Sequence, residues 1–158
     1  MKLLINSFDR QFSGLHRRNC EIVAAIPTEK IYQPLRQSNQ HFASVSCGEY
    51  VLRSAGAVEQ TFGGITSKLW DDPFEWTLPE ELSTKAKILE YLAEVEATRL
   101  KGFAYLASDE DLLRTIPAPE KLRSIFDILL ETVARAEHFQ GRAFAVFQMF
   151  SDENPPKL

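Results

Sequence analysis

The chain has 158 residues, 44% of them apolar and 25% charged, enough apolar content to build one hydrophobic core and too much for a disordered segment. A net charge of −4 offers no basic footprint for nucleic acid, and no apolar run reaches the length that spans a bilayer. Met1–Ile5 is too short for the apolar core of a leader, so Cys20 and Cys47 read as reduced thiols of a cytoplasmic protein.

Ile5, Phe8, Phe12, Leu15, Asn19, Ile22 and Ile26 recur at spacings of three and four, which predicts a first helix that Pro27 ends. Asn19 interrupts the apolar stripe and reads as a hydrogen-bonded core residue. From Pro27 to Val45 no period is sustained, and a long connection is expected. Ser46 and Glu49 have the spacing of a capping box, and behind them Val51, Ala55, Val58, Phe62, Ile65 and Leu69 predict a second helix over 47–68. Gly63 and Gly64 inside it predict a close helix contact or a bend.

Trp70–Pro79 is a connection with two prolines and three large aromatics, Trp70, Phe74 and Trp76. These rings are expected at the bundle end or in a subunit interface rather than stacked on a ligand. Ser83 or Thr84 caps a third helix carrying Ile88, Leu92, Val95, Arg99, Phe103 and Leu106. Ser108 opens a short turn, and Pro119 fits the first position of a fourth helix. Its stripe is Leu122, Ile125, Phe126, Leu129, Val133, Ala136, Phe144 and Phe147, ending near Phe150. No stretch alternates as a strand requires. The expectation is an all-α four-helix bundle, one domain over 1–150 with long connections after the first and second helices, followed by a flexible tail over 151–158.

Standard catalytic and metal-binding motifs are missing. His16 and Cys20 stand four apart on one helix face, but two ligands do not make a zinc site. His41 lies in the first connection and reads as a surface histidine. His138 has Ala134, Arg135, Gly141 and Arg142 as its helical neighbours, none of them an obvious second ligand.

Three short segments carry a family resemblance: Ile26, Pro27, Glu29 and Lys30; then Ser46, Gly48 and Glu49; then the run from Arg135 to Arg142. Their order and separation resemble the DinB-like (damage-inducible) superfamily. That resemblance implies a cytoplasmic, dimeric four-helix bundle, a divalent metal in many members, and thiol-dependent transferases and isomerases among its relatives. In the family, a metal-binding histidine follows the serine that opens helix two by seven residues, which is Arg53 here. The last helix carries two histidines four apart, the second lying two residues before a glycine. Counting from Gly141 puts these at Arg135 and Phe139, and the glutamine that follows the glycine is Arg142.

All three expected ligands are thus replaced by residues without a lone pair to donate. No metal or other cofactor is therefore expected, and the family's catalysis is not expected to survive. Two readings remain for Arg53 and Arg135. Either they pair with carboxylates such as Glu49, Glu59 or Glu131, or they bind a small anionic ligand, a carboxylate or phosphate, beside Phe139 and Arg142. Two further readings stay open. One is an enzyme with relocated ligands drawn from His16, His41 and His138, or with Cys20 or Cys47 as a thiol. The other is a homodimer joined through Trp70–Trp76.

Overall fold

Ile5, Phe12, Leu15 and Ile22 are all buried, and the stripe they form gives helix α1 (Leu3–Ala25) its inner face. The same three-and-four spacing builds α2 (Cys47–Ser67), α3 (Lys85–Ala104) and α4 (Ile125–Phe150) in the computed structural model, which describes residues 1–35 and 45–158. The fold is an all-α four-helix bundle. His41 lies outside the described residues. α1 and α2 each pack between α3 and α4. Consecutive helices α1/α2 and α3/α4 therefore face one another across the bundle, and a diagonal step of this kind demands a long connection.

Each helix end has a local cause. Ser46 Oγ accepts from the Glu49 amide at 3.3 Å while Glu49 Oε2 accepts from the Ser46 amide at 2.9 Å, closing the expected capping box. α2 ends at Lys68, whose φ of 59° is left-handed, so Leu69 falls beyond the helix and is exposed. Thr84 caps α3 by accepting from the Lys87 amide at 3.2 Å. α1 has no cap of its own at Lys2; Asp109, in the turn after α3, supplies one, its Oδ1 accepting from the Ile5 amide at 3.0 Å.

The fourth helix starts at Ile125, not at Pro119. Thr115–Ala118 and Lys121–Ser124 instead form an antiparallel hairpin, β1 and β2, with Ala118 opposite Lys121 and Thr115 opposite Ser124. Pro119 and Glu120 make its two-residue turn, where a fixed proline φ serves the first central position as well as it would a helix start. Leu122, assigned by spacing to the helix stripe, is exposed on β2. Ser124 caps α4 by accepting from the Asp127 amide at 3.1 Å. Residues 151–158 carry no helix or strand, and Arg17 Nη2 donates to the Lys157 carbonyl at 3.1 Å.

The core is largely apolar but includes a hydrogen-bonded seam. Asn19 Nδ2 donates to Ser54 Oγ at 3.2 Å, and Gln140 Nε2 donates to Asn19 Oδ1 at 2.7 Å and to the Leu15 carbonyl at 2.9 Å. Arg18 joins it, donating from Nε to Gln140 Oε1 and from Nη2 to Glu137 Oε1, both at 2.6 Å. Each buried group here has a partner, which is the condition for tolerating polar groups in a core.

Gly64 proves to be a close-approach glycine, though not for a helix. A β-carbon there would sit 2.3 Å from the Trp70 indole, whose Nε1 in turn donates to the Pro117 carbonyl at 3.2 Å. Trp70 thus pins the α2–α3 connection to the hairpin. Gly63 meets only the Leu69 carbonyl, at an ordinary 3.5 Å.

Candidate functional site

Arg53, Gly56, Ala57 and Gln60 fall at helical spacing on one face of α2, and Arg135 and Phe139 stand four apart on α4. The two faces meet along the most extensive helix–helix packing of the bundle. The α2–α3 connection crosses above them, and the result is a cleft of about 260 Å³ whose lining also includes Leu52, Asp72, Phe74 and Thr77. That volume is small for a ligand site, and the mixture of apolar walls with a few polar groups is the usual composition of one.

Three of the four sequence-derived candidates, Arg53, Arg135 and Phe139, line this cleft. Arg142 does not; it is exposed on α4, with its guanidinium 5.8 Å from the centre of the Tyr50 ring. Arg53 is half-buried and Arg135 is exposed. A long side chain on the solvent side of α4 reaches the cleft mouth without burying its root.

The carboxylates considered as partners are engaged elsewhere. Glu49 caps α2, Tyr91 donates its hydroxyl hydrogen to Glu59 Oε2 at 2.6 Å, and Arg123 pairs with Glu131. Arg135 Nη2 donates to the neutral Gln60 Oε1 at 3.1 Å. Arg53 carries the one buried side-chain nitrogen or oxygen without a hydrogen-bond partner among the described residues, its Nε. Its guanidinium carbon lies 4.9 Å from the centre of the Phe74 ring, a cation–π contact that occupies the flat face and leaves the N–H edge free.

Asp72 is the only carboxylate lining the cleft among the described residues, and its Oδ1 accepts from the Phe74 amide at 3.0 Å. Among the described residues no histidine or cysteine lines the cleft. His138 packs edge-on against Phe139, ring centres 5.7 Å apart, and is exposed. The positions at which the resemblance implies metal ligands are Arg53, Arg135 and Phe139. None has a lone pair to offer, and two bring positive charge, so this set does not fit a divalent cation.

The thiols sit apart from the cleft. Cys47 is buried, and the loss of solvation pushes its pKa up to about 12. Cys20 Sγ lies 3.7 Å from His16 Nε2; burial first, then the charges of Glu96 and Glu21, raise its pKa too. Both shifts favour the unreactive thiol. Among the described residues no three His, Cys, Asp or Glu side chains converge where a metal could be held.

Phe74, Asp72 and Gln60 are the lining residues that spacing did not single out. Of the three aromatics of the α2–α3 connection, Phe74 forms a cleft wall, Trp70 packs on Gly64, and Trp76 is half-exposed. Among the described residues no helix is long and apolar enough to cross a membrane. No protein-family model, no curated protein and no solved structure matches this chain.

Proposed function

We propose that the chain is a divergent DinB-like bundle whose cleft between α2 and α4 binds a small organic anion, a carboxylate or phosphate with an apolar body, in place of a metal. The observation that carries this reading is the pair of guanidinium groups, Arg53 and Arg135, brought from two helices to one cleft and joined to no carboxylate there. An orphaned buried donor costs on the order of 1–3 kcal/mol. A ligand oxyanion at the Arg53 edge offsets that cost, and a forked charge-assisted contact gives orientation as well as affinity. Leu52, Phe74 and Phe139 take the apolar body. With no histidine, no thiol and a single amide-bonded carboxylate among the described residues of the lining, the arrangement is suited to holding a ligand rather than to proton transfer. The helix order and the long connections support the family assignment.

The test is thermal melting with benzoate, phenyl phosphate, acetate and inorganic phosphate. A ligand at a hundred times its Kd stabilises by roughly 2.7 kcal/mol, which is about 5–10 °C in Tm for a domain of this size. Arg53→Gln and Arg135→Gln are expected to keep the fold and lose the shift. A flat Tm across all four anions refutes the reading.

The homodimer is the second reading, favoured by the half-exposed Trp76 and Phe74 beside the cleft. Light scattering on wild type and Trp76→Ala tests it, and a monomer in both cases removes it.

A further inference from the structure

A second cleft, of about 330 Å³, opens on the other side of the Arg135–Gln60 hydrogen bond, and both of those residues line both clefts. The two spaces therefore share one wall made of two polar side chains, and Arg135 uses only one of its five N–H groups on it. The floor of the second cleft needs no ligand. Thr61 and Thr132 hydroxyls lie 2.6 Å apart, and Thr132 Oγ1 also donates to the Ile128 carbonyl at 2.7 Å.

Its rim is supplied by β2. The two-residue turn at Pro119 and Glu120 sets Lys121 at the first paired position of the strand, with Arg123 two residues on. Arg123 is neutralised by Glu131, and the Trp70 indole N–H is used on Pro117. Lys121 is exposed, and no carboxylate pairs with it among the described residues. Glu120, also on the rim, is exposed at the turn. Arg53 and Arg135 line the first cleft and Arg135 and Lys121 the second, so three cations face the two clefts. Asp72 is held by an amide, Glu131 is paired, and Glu120 alone stands against them.

Resting on the anion reading above, we infer that the ligand is an elongated dianion with an apolar middle. One charged end lies at Arg53, the chain runs over Phe74 and Phe139, and the other end lies between Arg135 and Lys121. The ligand class is an α,ω-dicarboxylate or a carboxylate bearing a terminal phosphate. A single short anion held by Arg53 and Arg135 leaves Lys121 of the second cleft unused; two separated charges use both clefts.

The experiment is calorimetric titration of the full chain with a length series, succinate, adipate and suberate, each against the monocarboxylate of equal carbon number. One dicarboxylate length is expected to bind about tenfold or more tighter than its monocarboxylate, the value of one added charge-assisted contact. Lys121→Gln is expected to abolish that excess while leaving monocarboxylate binding unchanged. Arg135→Gln is expected to weaken both series. Unliganded melting curves establish that both variants fold. Equal binding of mono- and dicarboxylates at every length, with Lys121→Gln silent, overturns the two-ended ligand and leaves the anion reading standing. Binding by no member of either series, together with a flat Tm in the four anions above, overturns both.

Discussion

One substitution, glycine to alanine, is expected to act with opposite sign at two places in this bundle, and the structure sets each sign. Gly102 is buried on α3 against Phe62 of α2. A β-carbon there would lie 2.3 Å from Phe62 Cδ1 and 3.2 Å from Cε1 and Cγ, where carbon–carbon contact needs about 3.5–4.0 Å. The ring must therefore move by roughly 1 Å. It has nowhere to go, since Phe12 meets it edge-on at 5.2 Å and Phe103 lies at 5.1 Å. Overpacking of this kind costs about 1–3 kcal/mol, and here the clash is with a buried ring, at the upper end. Alanine returns about 1 kcal/mol of helix propensity. The net is about 1–2 kcal/mol of destabilisation, a fall of about 2–8 °C in Tm. Gly141, exposed on α4, has nothing within 4 Å of its β-carbon site. Only the propensity gain remains there, and Gly141→Ala is expected to raise Tm by about 2–4 °C. Calorimetry and urea unfolding on the two variants read both signs. A Gly102→Ala protein at or above wild-type Tm would falsify the packing argument.

The Glu59 carboxyl is expected to report its burial through pH. Desolvation raises its pKa against the lowering effect of the Tyr91 hydrogen bond, with Glu94 adding to the rise. A raised carboxyl pKa gives stability that is full below the ordinary carboxylate value of about 4.3 and is lost as pH rises through the folded-state value. Glu59→Gln keeps an acceptor for the Tyr91 hydroxyl and removes the ionisation, so its Tm relative to wild type is expected to be higher at pH 8 than at pH 4. An equal difference at the two pH values contradicts this. The thiols give another outcome: in the native protein Cys47 is expected to resist Ellman's reagent until denaturant is added, and Cys20 to react slowly. Rapid native labelling of Cys47 overturns its placement in the core.

The helices were legible because each buries one stripe, and a stripe at spacing three and four has no other common origin. Ser46 and Glu49 marked the start of α2 because a capping box is local chemistry. The hairpin was hidden by the same logic. Leu122, Ile125, Phe126 and Leu129 continue a helical spacing back across the β2–α4 boundary, and each strand has only four residues, too few to establish a period. The signal that resolves it is Ser124 followed three residues on by Asp127, a cap that places the helix start after β2. In the cleft, positions on α2 and α4 followed from spacing once the helices were registered against a family pattern. Phe74 and Asp72 did not, because the path of an aperiodic connection is fixed by what it packs against: Trp70 on Gly64, and a β-carbon at Gly56 only 3.6 Å from Pro73.

Three arginines of this chain show how the fold treats a guanidinium removed from water. Arg18 is bound by Gln140 and Glu137. Arg99 reaches Glu96 through Nε and Nη2, at 2.8 and 2.6 Å, and also pairs with Asp9. Both are buried, and both hold carboxylates that remain partly open to solvent, which keeps the desolvation cost of the pair low. Arg53 breaks the pattern. It stands on the same bundle, with Asp72 lining the same cleft, yet its buried Nε has no acceptor among the described residues and its contact is the face of Phe74. Where arginine serves packing in this protein, the acceptors come with it. The exception opens onto a cleft shared with a second arginine, and an acceptor brought by a ligand completes there what the chain itself completes at Arg18 and Arg99.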